Sequence, residues 1–133
     1  MTNYPYSEMS DEQLAKAFVE ISIKEADAMG LRKSREVNGL IKQSRAIEET
    51  LRARGLEARK VLVPLLGCSD ARSSFAKEFE AQVRLNAAKE LLAVVPEQAR
   101  ATLEDLAAHG PSAQSGRAGM CLQFLDDGIF KPT

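Results

Sequence analysis

The side chains of this 133-residue sequence whose types suit acid–base, thiol or metal chemistry include its one histidine, His109, its two cysteines, Cys68 and Cys121, and the adjacent acidic pairs Glu48-Glu49, Glu104-Asp105 and Asp126-Asp127. His109 precedes Gly110 at the end of an expected helix, where a protonated imidazole complements the negative end of the dipole, so capping is its assigned role. Neighbouring residues on a helix point to different faces, so the acidic pairs do not converge on a substrate as a general acid and base would. The cysteines form no CxxC pair and no Cys/His cluster with metal-ligand spacing. Cys121, between Met120 and Leu122, packs as a small apolar thiol with no histidine nearby to activate it. There is no Gly-rich phosphate loop and no Ser/His/Asp set. The reading is a protein with no catalytic residue, no metal and no cofactor.

Charge offers a second chemistry. The chain carries 18 basic and 19 acidic residues, a net charge of −1, so the molecule as a whole is not drawn to nucleic acid or to an anionic membrane. Locally the balance shifts, since residues 32–60 hold nine basic and four acidic side chains, whereas residues 1–31 carry −4. Arg35, Asn38, Lys42, Arg45 and Arg52 fall on one helical face at spacings of three, four and seven, the pattern of a phosphate-contacting stripe. No aromatic residue occurs between Phe18 and Phe75 to stack on bases, and Glu49 interrupts the stripe. A solvated face paired with the acidic first helix is the preferred reading, and nucleic-acid binding through these five residues is the alternative.

The elements that position these groups are helical. Ala, Leu, Glu, Lys, Arg and Gln fill the long segments, glycine and proline are sparse, and β-branched residues do not alternate. Ser10 with Gln13 is a capping box, predicting a first helix over about 11–29 with Leu14, Phe18, Ile21 and Ala28 buried and Gly30 as its left-handed stop. A second helix over about 33–54 buries Val37, Leu40, Ile41, Ile47 and Leu51 and closes at Gly55, and Gly39 within it implies a close-packed neighbouring backbone. A third helix is expected over about 57–66, its last turn bent by Pro64. Phe75, Phe79, Val83, Ala87 and Leu91 recur every four residues and predict one long helix over about 73–95, ended by Pro96. Helices over about 97–109 and 114–127 end at Gly110-Pro111 and Gly128.

Two of these helices look like copies. Residues 57–66 align with 98–107 at an offset of 41, placing Ala58 on Ala99, Arg59 on Arg100, Leu62 on Leu103 and Leu65 on Leu106. The helices that follow align at an offset of 31, Ala87 on Ala118 and Leu91 on Leu122. A period near 40 with two helices per unit is the HEAT and armadillo signature. Pro64-Leu-Leu66 followed by Gln82-Val-Arg-Leu-Asn-Ala-Ala-Lys-Glu-Leu-Leu92 resembles the two helices of a HEAT repeat, in which an arginine early in the second helix reaches carbonyls of a neighbouring turn.

Over nearly its whole length the chain further resembles the short bacterial proteins grouped as domain of unknown function 2019. The shared residues are Phe18-Val-Glu-Ile21, Val83-Arg84-Leu85 with Ala87-Ala88, and above all Gly119-Met120 with Leu125-Asp-Asp-Gly-Ile-Phe-Lys-Pro132. The resemblance implies an all-α fold, a HEAT-like α-α superhelix of about six antiparallel helices in three pairs, with no settled activity. The expected organisation is a single domain over 1–133, with a divergent first pair over 10–55, a second pair over 56–95 and a third pair with a C-terminal cap over 96–133.

The remaining features are surfaces. Phe75 and Phe79, with Arg72, lie in a ten-residue extension of the second pair, which as helix reaches about 15 Å past a shorter partner. The two phenylalanines either fold back on Tyr4 and Tyr6 or form a contact with another protein or a second copy, a homodimer through 68–80. Ile129 and Phe130 are expected to tuck under the last hairpin as a hydrophobic cap. The N-terminus has no charged and apolar signal segments, and no run approaches the roughly 18 apolar residues of a membrane span, so a cytoplasmic location without membrane contact is expected. The functional expectation is a protein-binding module, immunity-like or dimeric.

Overall fold

Ser10 starts the first helix as expected: its side-chain Oγ accepts from the Gln13 N–H, and Gln13 Oε1 accepts from the Ser10 N–H, closing the capping box. The computed structural model describes residues 5–67 and 77–133, and Cys68, Arg72 and Phe75 lie outside the described residues. Among these, the helices are α1 (Asp11–Gly30), α2 (Ser34–Arg54), the four-residue α3 (Leu56–Arg59), α4 (Lys77–Leu91), α5 (Pro96–His109) and α6 (Ser112–Asp126), with 3₁₀ segments at Pro5–Glu8 and Lys60–Gly67 and no strand. The chain divides into two compact units, Met1–Val61 and Leu62–Thr133.

In the first unit, α1 and α2 pack together, and the three-residue connection between them makes the pair antiparallel. Leu14, Phe18, Ile21 and Ala28 are buried on α1, and Ser44, Ile47 and Leu51 on α2. Val37, Leu40 and Ile41 share their stripe with the buried residues but are only half-buried, so coverage thins toward the start of α2. The stop of α1 also differs from expectation. Gly30 is helical, and the left-handed residue is Arg32, with φ 57°. Its N–H donates to the Met29 carbonyl and that of Lys33 to the Ala28 carbonyl, the two bonds of a Schellman turn. Gly39 faces open space, since a Cβ there would meet nothing within 4 Å. Close packing is therefore not why it is glycine. Gly55, at φ 113°, does end α2 in a backbone region that favours glycine.

The third expected helix is broken. Four residues of α-helix give way to eight of 3₁₀ containing Pro64, whereas α5, its expected copy, is regular over fourteen residues. Proline lacks the N–H that an α-turn needs and crowds the carbonyl four residues earlier, and tighter 3₁₀ winding relieves both.

In the second unit, α4, α5 and α6 pack against one another around Val83, Leu85, Ala87, Leu91, Leu103, Leu106, Ala118 and Cys121. The expected helix over 73–95 is shorter where it is described. It ends at Leu91, whose carbonyl accepts the N–H groups of both Val94 and Val95 in a turn before Pro96. The connection from α5 to α6 is two residues, and Gly110 is required there: a Cβ would lie 2.6 Å from the Leu106 carbonyl oxygen. A buried amide chain ties α4 to α6. Gln114 Nε2 donates to Gln82 Oε1 at 3.1 Å, and Gln82 Nε2 donates to Asn86 Oδ1 at 3.0 Å.

Candidate interaction surfaces

Two helix ends carry surfaces, and arginines fix the frame around them. Arg54, in the last turn of α2, donates through Nη1 to Asp11 Oδ1 at 2.8 Å and through Nη2 to the carbonyls of Tyr6, Ser7 and Met9. One guanidinium thus satisfies the 3₁₀ turn ahead of α1 and holds Tyr6 buried. The sequence reading passed over Arg54, because its partners lie more than 40 residues away and no local pattern marks them.

Arg84 plays the matching part in the second unit. Its Nε donates to the Leu66 carbonyl at 2.9 Å and its Nη2 to Asp105 at 3.0 Å. This is the carbonyl contact that the repeat pattern predicts for an arginine at this place. Arg100 holds Asp126 through two bonds, at 2.9 and 3.2 Å, tying α5 to the end of α6. That bidentate hydrogen bond and the arginine's charge pull the Asp126 carboxyl below the usual carboxylate range. Asp105 and Asp126, members of the adjacent acidic pairs excluded from acid–base work by their spacing, are thus partners of specific arginines.

The basic residues of α2 stand where the sequence places them. Arg35, Asn38, Lys42, Arg45 and Arg52 are all exposed on one helix. Arg35, Lys42 and Arg45 form no ion pair among the described residues. Two open grooves flank other faces of this unit, one lined by Tyr6, Ala46, Thr50 and Arg54, the other by Lys24, Asp27, Gly39 and Leu40. Of the residues expected in a protein contact, Phe79 is half-buried in the first turn of α4, while Arg72 and Phe75 lie outside the described residues.

The exposed apolar side chains gather at the end of α6 instead. Met120 is 55% exposed, Phe124 39% and Ile129 69%. The expected tuck of Ile129 under the last hairpin does not occur, and Phe130 is half-buried. A Schellman turn explains this. Gly128, at φ 74°, donates to the Leu125 carbonyl and Ile129 to that of Phe124, which ends α6 and turns the chain off its axis. The signal was present in Asp127-Gly128-Ile129, but it gives the turn and not the face to which the turn leads. Cys121, by contrast, points inward, and burial pushes its thiol pKa up, with Lys89 opposing. A thiol so placed is a poor nucleophile. Among the described residues no group of three His, Cys, Asp or Glu side chains is placed to hold a metal, and no helix is long and apolar enough to cross a membrane.

These features define a small all-helical protein whose arginines lock short connections and whose last helix leaves an apolar edge open. The chain belongs to the domain of unknown function 2019 family, whose model matches residues 12–126. It is similar over 98% of its length to the crystal structure of the protein RPA1889 from Rhodopseudomonas palustris, all of which is covered, with 33% identity and a TM-score of 0.85. No curated protein matches the chain.

Proposed function

We propose that this chain is a non-catalytic, HEAT-like protein-binding module that docks another protein on the outer edge of α6. One observation carries the reading. Of the five large hydrophobic side chains exposed among the described residues, Leu31 and Leu56 stand singly, while Met120, Phe124 and Ile129 lie within ten residues. Scattered exposed apolar residues are ordinary, but a cluster held in place by a defined turn marks an interface. The Arg84 bond to the Leu66 carbonyl supports the HEAT-like part of the reading. The test is site-specific photo-crosslinking in cells, with the reactive group at position 120 and, as control, at exposed Lys16 on α1. A discrete protein adduct from position 120, lost on Phe124→Asp and not formed from position 16, is the expected result. Equal or absent adducts from both positions would refute it.

A second reading keeps the stripe on α2, because Arg35, Lys42 and Arg45 are exposed and engage no carboxylate among the described residues. It predicts nucleic-acid binding that falls steeply with salt and is lost in the Arg35→Glu/Lys42→Glu/Arg45→Glu variant. No binding of DNA or RNA at low salt removes it.

A further inference from the structure

The outer face of α6 is nearly its own complement. Met120 and Phe124 lie two residues either side of position 122, and Arg117 and Asp127 lie five residues either side of it. All four are exposed, and all fall within one narrow sector of the helix surface. Laid antiparallel on a second copy with position 122 at the centre, the face sets Met120 against Phe124 and Arg117 against Asp127, each pair occurring twice about a two-fold axis.

Charge identifies the occupant more sharply than apolar area does. Asp126 and Asp127 both stand at the C-terminal end of α6, where the helix dipole disfavours a carboxylate. Asp126 is compensated by Arg100. Asp127 engages no cation among the described residues, and Arg117 engages no anion. A second copy supplies both at once.

We infer that the α6 edge binds a second copy of this chain as a symmetric antiparallel dimer, held by Met120–Phe124 packing and by two Arg117–Asp127 ion pairs. The inference rests on the reading of this edge as a protein-binding surface and names its partner. A helix face of this length buries less than a permanent dimer does, so the pairing is a reversible one.

Light scattering on a dilution series tests it, from about 5 to about 500 µM, the range in which small interfaces dissociate. The mass should rise from 14.5 kDa toward twice that value. Arg117→Asp and Asp127→Arg should each weaken association by about tenfold or more, because each swap sets like charges together twice. The double variant Arg117→Asp/Asp127→Arg should recover most of the loss. Circular dichroism on the same samples confirms that all three remain folded. A monomer at every concentration overturns the inference, as does a dimer indifferent to the single swaps or a double variant no better than either single one. If the wild type is monomeric while position 120 still crosslinks to a different protein, the dimer fails and the binding surface stands.

Discussion

The carbonyl of Phe124 accepts the backbone N–H of Ile129 at 2.9 Å, five residues ahead in the chain, and that of Phe130 at 3.0 Å. Through this one oxygen the chain leaving α6 is turned at the helix end, and Ile129 is left 69% exposed. The sequence Asp127-Gly128 is enough to make the turn, since glycine adopts φ 74° without strain. The exposed edge is thus a product of local backbone geometry, independent of any partner.

Arg54 should be among the most costly polar side chains of the first unit to remove. Its loss removes the side-chain donor from the Ser7 and Met9 carbonyls and leaves that of Tyr6 with the Met9 N–H alone, so Arg54→Ala should destabilise by about 1–2 kcal/mol. Asp11→Ala should cost less than about 1 kcal/mol, because the ion pair is partly solvent-exposed and Arg54 keeps its carbonyls. Urea unfolding of both variants checks the order, and equal losses would contradict it.

Two glycines should respond in opposite directions to alanine. Gly110→Ala places a methyl 2.6 Å from the Leu106 carbonyl and should cost about 1–3 kcal/mol, as the two-residue connection cannot shift freely. Gly39→Ala meets nothing within 4 Å in a helix interior and should gain about 0.5–1 kcal/mol. Thermal unfolding reads both.

That contrast marks where sequence reading succeeds and where it stops. The Ser10–Gln13 box, the turns at Gly55 and Gly128 and the limits of α5 are set by residues a few places apart, and local chemistry finds them. Arg32 was missed because a residue other than glycine takes the left-handed position. Gly39 was misread because a helical glycine signals freedom as readily as close approach. Periodicity told which side of α2 faces inward, but not that burial fades toward Val37 and Leu40, since that depends on how far the neighbouring helix reaches. The links of Arg54 and Arg100 join residues 26 to 48 apart, and no pattern within one helix encodes them.

Stability should depend on pH through two groups. Asp126 has its folded pKa lowered by Arg100, so its contribution is present above the ordinary carboxylate value and is lost as pH falls through the lowered one. Asp126→Asn should therefore flatten the acid limb of the stability curve while leaving the alkaline limb unchanged. Cys121 has its pKa raised by burial, so its contribution is present below the ordinary thiol value and is lost as pH rises toward the raised one. Cys121→Ala should flatten the alkaline limb. Denaturation midpoints across pH check both, and an acid limb unchanged by Asp126→Asn would deny the Arg100 link its role.

If the outer edge of α6 is kept open for a partner, the fold must not depend on it. The direct measurement is the unfolding free energy of the monomer in the variant Met120→Gln/Phe124→Gln/Ile129→Thr, taken at high dilution. Three exposed substitutions of this kind should change stability by no more than about 0.5 kcal/mol each, so the variant should unfold close to the wild type. A loss of several kcal/mol would show that these side chains are structural, and would contradict the assignment of this edge to protein binding.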